Sequence, residues 1–346
     1  MTTLRTLARL LPACLLASCA STPPPAPEPL GTLVVLHKSE ATAMWFDLDA
    51  RAERLRTPTG TGPHEVACRG ELAVVCDYGA GTAGTTLTVL DARDGRLVRK
   101  IELGHGRPHG IEWLDDARVL VTCEASEAVL EVDVLAGEVR RVLPTGAKLS
   151  HMLALAPDAS RVFTTNMQSD TVSVLDVATG ALIAQVPTGK GPEALDLSPD
   201  GAELWVGNRS DDTLTIFDAH TLETKATLSC PKFPIRLKFT RDGRHVLVSC
   251  AQSGDLAVFD ARTRMEARRI PLGLSPTESA ASNLLGRDFA ASPTPIGIYV
   301  HPCAPRAWIA ATNSDLVSEL SLETWTFTAR IPTGREPDGL GWLPAR

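Results

Sequence analysis

GPEALDLSPDGAELWVGNRSDDTLTIFDAHTLETKATLS, residues 191–229, contains the plan of the whole chain. It divides at Pro, Asp, Gly and Asn into four runs: ALDLSPDG, AELWVGNRSDD, TLTIFDAHTLE and TKATLS. Each run alternates or is β-branched and each boundary carries turn-formers, which predicts four antiparallel strands, A to D. The opening of strand A recurs six more times, as GPHEVAC, RPHGIEW, LSHMLAL, FPIRLKF, TPIGIYV and EPDGLGW. The register residues His64, His109, His151, Glu193, Ile235, Ile296 and Asp338 are separated by 45, 42, 42, 42, 61 and 42 residues. The count also closes on itself: the 9 residues from Asp338 to Arg346 and the 33 between Leu30 and His64 complete one more unit of 42. A closing period of this length is the signature of a toroid of four-stranded blades. The expected fold is therefore all-β, a seven-bladed β-propeller over residues 31–346. Strand A from Asp338 onward should pair with strands B to D from Gly31–Gly60, which removes the exposed sheet edges.

Strand C ends in Asp47, Asp91, Asp133, Asp176, Asp218 and Asp260, with Ser321 in the last copy. A carboxylate there accepts backbone N–H bonds at the start of a tight loop, so these acids read as turn caps. The pattern over residues 31–346 resembles the YVTN-type β-propeller repeat proteins. That resemblance implies the fold and leaves the activity open, because propellers host many functions.

Residues 1–18 read as a signal peptide: Arg5 and Arg9 precede an apolar run, Leu10–Ala17, too short to span a bilayer as a stable helix. Leu16-Ala17-Ser18-Cys19 resembles a bacterial lipobox, which implies lipidation of Cys19, and Ala20 in place of Asp implies outer-membrane sorting. The tether, residues 19–30, carries five prolines between Pro23 and Pro29. As polyproline II, at about 3.1 Å per residue, it would hold the domain about 30 Å from the bilayer, in the periplasm or at the cell surface. Loss of residues 1–18 moves the net charge from −7 to −9, and aromatics are only 5% of the chain, so nucleic acid is not an expected partner.

The strand-A register residues surround one mouth of the central channel, and their chemistry is lopsided. Counting back ten residues from the strand-C acids gives the ends of strand B: His37, Cys123, Asn166, Asn208, Cys250 and Ala311, with Cys76 matched across an insertion near Gly79–Gly84. Five consecutive blades then offer Asp338 with His37, His64 with Cys76, His109 with Cys123, His151 and Glu193. The other two offer Ile235 and Ile296. A rim half polar and half apolar suits a pocket that orients a ligand. Arg236 and Lys238 alternate on one strand A and are placed to meet an anionic group. A 19-residue excess at Leu274–Ser292 falls on the same face and predicts a lid.

Three histidines in one register suggest a transition metal, copper or zinc, on His64, His109 and His151, with Cys76, Cys123, Glu193 or Asp338 as further ligands or support. By analogy, nitrous oxide reductase and the selenium-binding methanethiol oxidases hold copper through propeller histidines, although none of their motifs occurs here. Three functional readings follow: a lipid-anchored binder of a metal or small polar ligand, open to redox chemistry; a non-catalytic scaffold for another envelope protein; or a metal-assisted lyase or lactonase. No nucleophile elbow, zinc-protease, phosphate-loop or heme-attachment motif is present.

Overall fold

The computed structural model describes residues 28–277 and 285–345. Among them are seven four-stranded antiparallel sheets arranged as consecutive blades, as the 42-residue period requires. Six blades are continuous in sequence. Blade 1 is the joint: strand A (Pro337–Leu343) pairs with strand B (Thr32–His37), which pairs with C (Thr42–Asp47) and then D (Ala52–Pro58). The expected ring closure is therefore present. The expected signal peptide, the expected lipidation site Cys19 and most of the expected tether lie outside the described residues. No described helix is long and apolar enough to cross a membrane.

Strands A to C are buried on both faces because each blade is packed between two neighbours. Strand B of blade 1, TLVVLH, is buried at every position. The core is a ring of interblade layers: Val74 and Leu87 of blade 2 meet Val121 and Leu130 of blade 3, and Trp205 of blade 5 meets Phe239 and Phe259 of blade 6. Trp45 adds a directional link, donating its indole N–H to the Ala92 carbonyl of the next blade at 3.0 Å. The D strands form the outer edge, where exposed charged residues such as Arg54, Lys225 and Arg268 discourage pairing with other chains.

The strand-C acids cap turns as expected. Asp47 accepts from the backbone N–H groups of Asp49 and Ala50, Asp218 from those of His220 and Thr221, and Asp260 from that of Thr263. Ser321 does the same for Thr324.

One expectation changes. The Gly79–Gly84 insertion lengthens strands B (Leu72–Gly79) and C (Ala83–Asp91) of blade 2, and the register pairs Pro63 with Asp77 where other blades pair Pro108 with Cys123 or Pro192 with Asn208. Asp77, not Cys76, is the strand-B counterpart. Of the expected lid, residues 278–284 lie outside the described residues. The described remainder forms a short 3-10 turn, Arg287–Phe289, and packs Phe289 onto Ile235, Ala251 and Ile296.

Candidate metal and ligand site

Every strand A opens after a residue with positive φ, such as Arg107 (58°), Leu149 (58°) or Glu336 (56°). That turn swings the register side chain into the axis. Close approach of neighbouring A strands is made possible in blade 1 by Gly339, where a Cβ would lie 2.3 Å from the His64 carbonyl oxygen. Three imidazoles from successive blades consequently stack. The ring centroids of His64 and His109 are 4.0 Å apart, and those of His109 and His151 3.7 Å. All three are buried. The convergence expected from the repeat phase is thus present.

The strand-B ends do not join them. His37 hydrogen-bonds Thr42 Oγ1 through Nδ1 at 2.9 Å and approaches Gly334 of the preceding connection. Asn166 and Asn208 donate to threonine and serine hydroxyls of strand C. Asp77 accepts from Gly60 N–H, Thr86 and Thr88. His37, Asn166 and Asn208 thus tie strand B to strand C of their own blades, and Asp77 also ties blade 2 to the connection before it. Cys76 and Cys123 lie in the apolar layer between blades 2 and 3, and burial pushes both thiols up, Cys123 to about 12. Neither belongs to a group of clustered ligand atoms among the described residues. No disulfide is formed between the six described cysteines in this structure.

Side chains alternate along a strand, so the residue after each strand-B end turns toward the mouth. Those residues include Lys38, Tyr78, Glu124, Met167 and Arg209, and all five line a cavity of about 740 Å³. The sequence reading stopped one residue short of Lys38, Glu124, Met167 and Arg209, and two short of Tyr78. With the strand-A ring they build a continuous polar network. Tyr78 donates its hydroxyl to Glu124 at 2.7 Å, and Glu124 accepts from His151 Nδ1 at 2.5 Å. His151 Nε2 reaches Glu193 at 3.1 Å, Glu193 also accepts from Arg209 and Arg236, and Arg236 continues to Glu65 at 2.9 Å. On the other side Ile235, Ile296 and Leu285 form an apolar wall. Arg236 therefore meets acids of its own channel, while Lys238 pairs with Asp196 at 3.1 Å.

The electrostatics separate the histidines. Burial opposes charge on His151, but Glu193 and Glu124 outweigh it and raise its pKa, which favours the imidazolium, and both ring nitrogens are engaged. Burial, reinforced by nearby Lys38 and Arg236, holds His64 well below the ordinary value; burial with the His151 charge does the same to His109. These two are neutral, and their Nε2 atoms face each other at 3.2 Å. Burial pushes the carboxyls of Glu65 and Asp338 up. Glu193 is also buried, yet Arg209, His151 and Arg236 hold it down. Asp338 Oδ2 lies 3.2 Å from His64 Nδ1 without hydrogen-bond geometry, and His64 Nδ1, His109 Nδ1 and Asp338 Oδ1 have no hydrogen-bond partner among the described residues. Two groups of three residues bring ligand atoms within 4.8 Å of one another: His64, Glu65 and His109, and His109, Glu124 and His151. Groups with this spacing are of the kind that could hold a metal ion.

Residues 127–283 match the family model described as YNCE-like beta-propeller. A search of curated proteins gave no match. Among solved structures, a functionally unknown protein from Desulfotomaculum acetoxidans is similar at TM-score 0.75 and 14% identity, over 91% of this chain and 100% of that one. Kuenenia stuttgartiensis hydrazine synthase is similar at TM-score 0.66 and 15% identity, over 93% and 99%. Dihydro-heme d1 dehydrogenase NirN in complex with DHE follows at 0.64 and 13%, over 94% and 78%. At these identities the likeness is one of fold. The family-model match, the solved neighbours and the seven closed blades together identify this chain as a seven-bladed β-propeller consistent with the YVTN repeat type.

Proposed function

We propose that the mouth holds one divalent transition-metal ion on the Nε2 atoms of His64 and His109, with Glu65 as a third ligand. The ion then faces a small polar molecule in the cavity. The observation that carries this reading is the pair of buried imidazoles with Nε2 atoms 3.2 Å apart. Two nitrogens bound to one tetrahedral ion at about 2.0–2.1 Å are separated by about 3.3 Å.

This ligand set differs from the one expected from sequence. His151 is tied to two carboxylates, and Cys76 and Cys123 are sequestered between blades, so the donors are imidazole and carboxylate without thiolate. Zinc and copper(II) both suit such a set. The Tyr78–Glu124–His151–Glu193 chain beside the site favours metal-assisted acid–base chemistry, of the lyase or lactonase kind, over redox turnover. We place the protein at the cell envelope, held through Cys19. Labelled fatty acid should enter the wild-type chain and not Cys19→Ala.

Metal analysis and calorimetric titration with Zn²⁺ and Cu²⁺ test the site. One equivalent is expected in the wild type, lost in His64→Ala and in His109→Ala. A protein that binds neither ion, and whose Tm neither ion raises, would refute the reading and favour an interaction scaffold.

A further inference from the structure

Each strand D is followed by a residue that meets the strand-B end of the next blade. Where blade 3 meets blade 4 this joint is polar, Thr145 linked through Ser150 to Asn166. Where blade 6 meets blade 7 it is apolar, with Leu272 and Ala311 in one buried cluster. Between blades 5 and 6 both positions are cysteine. Cys230 follows strand D (Thr224–Ser229), Cys250 ends strand B (His245–Cys250), both are fully buried, and their sulfurs are 3.9 Å apart. We propose that Cys230 and Cys250 form a disulfide that staples blade 5 to blade 6.

A disulfide needs sulfurs at about 2.05 Å, which side-chain rotation from contact distance supplies. The oxidant is a small disulfide such as oxidised glutathione. One cysteine thiolate attacks it, forming a mixed disulfide and releasing one glutathione. The second cysteine then attacks the protein sulfur and releases the other glutathione; the two cysteine protons end on the two released thiols. Because both sulfurs are buried in the folded chain, the exchange takes place before the two blades dock.

The backbone beside the pair gives the staple work to do. One positive-φ residue precedes strand A in every blade, but here there are two in succession, Lys232 (79°) and Phe233 (70°), neither of them glycine. Such conformations are costly for residues with a Cβ and persist only where the surroundings hold them. Phe233 packs against Phe289, and Ile235 just beyond lines the cavity. The staple therefore fixes a strained connection that carries the apolar wall.

The experiment is peptide mapping of wild-type protein refolded with oxidised glutathione, alkylated in denaturant and digested with trypsin. The expected product is residues 226–232 cross-linked to residues 245–262, converted to two separate peptides by reductant. In parallel, reduction should lower the wild-type Tm by about 5 °C and leave that of Cys230→Ala unchanged. Recovery of both peptides as separate alkylated species after oxidative refolding would overturn the proposal, and the mapping decides it even if the variant does not fold.

Discussion

His37→Asn should flatten the acid limb of the stability profile. His37 is fully buried, and burial together with Arg56 lowers its pKa from 6.5 to about 4. In the unfolded chain the imidazole takes up a proton near pH 6.5, and in the folded chain only near 4. The unfolded state thus binds more protons throughout this window. Stability from this residue is complete above pH 6.5 and is lost as pH falls toward 4. A 2.5-unit difference, at 1.36 kcal/mol per unit, sets the full loss at about 3 kcal/mol, of which about 2.5 kcal/mol has gone by pH 4.5. Asparagine is the natural replacement because Asn166 and Asn208 fill the same position and donate to Thr171 and Thr213 at 3.1 Å, as it could to Thr42. Urea unfolding of both proteins from pH 7.5 to 4.5 measures the effect. Near pH 7.5 the two should agree within about 1 kcal/mol. By pH 4.5 the variant should have gained about 2.5 kcal/mol relative to wild type, or about 4 °C in Tm for a chain of this size. Parallel profiles across the range would mean that His37 titrates normally in the folded protein, and the argument from burial would fail.

Removing residues 338–346 should abolish cooperative unfolding, because it strips blade 1 of the strand that carries Leu340 and Leu343 and reopens the ring; a truncated protein with wild-type calorimetric cooperativity would refute the closure argument. Gly60→Ala should destabilise by about 1–3 kcal/mol, since its Cβ would lie 2.1 Å from the Asp77 carboxyl carbon, which three hydrogen bonds hold in place; denaturant midpoints report it. Glu193→Gln leaves Arg236, Arg209 and His151 short of a counter-charge and should cost about 3–5 kcal/mol. The same change should lower the raised His151 pKa, read by NMR titration. In the wild type, stability from His151 is complete below pH 6.5 and declines as pH rises above it; in Glu193→Gln that alkaline decline should weaken.

The fold was legible because propeller sequences repeat at two levels. Strand-A openings recur at one spacing, and turn-capping acids recur at another fixed point in each unit, so phase and closure could both be counted. The same counting placed His64, His109, His151, Glu193 and Asp338 at one mouth, where the structure has them. It failed where parity matters. A strand-B terminus and its successor face opposite ways, and counting to His37, Cys123 and Asn208 stopped one residue short of Lys38, Glu124 and Arg209. Alternation along the strand was the signal that identifies them. Tyr78 was hidden by the insertion, which shifted the match from Asp77 to Cys76. Charge states were beyond any count: only the two carboxylates flanking His151, one from each neighbouring blade, distinguish it from His64 and His109.

Blade 1 takes its first and last strands from opposite ends of the polypeptide, and this fixes an orientation. Strand B of that blade starts at Thr32, paired with Leu343, and runs toward His37 at the cavity side. The polypeptide before Thr32 therefore leaves from the underside of the disc. Anything that grips the protein by its leading segment presents the histidine cavity outward, open to whatever diffuses past.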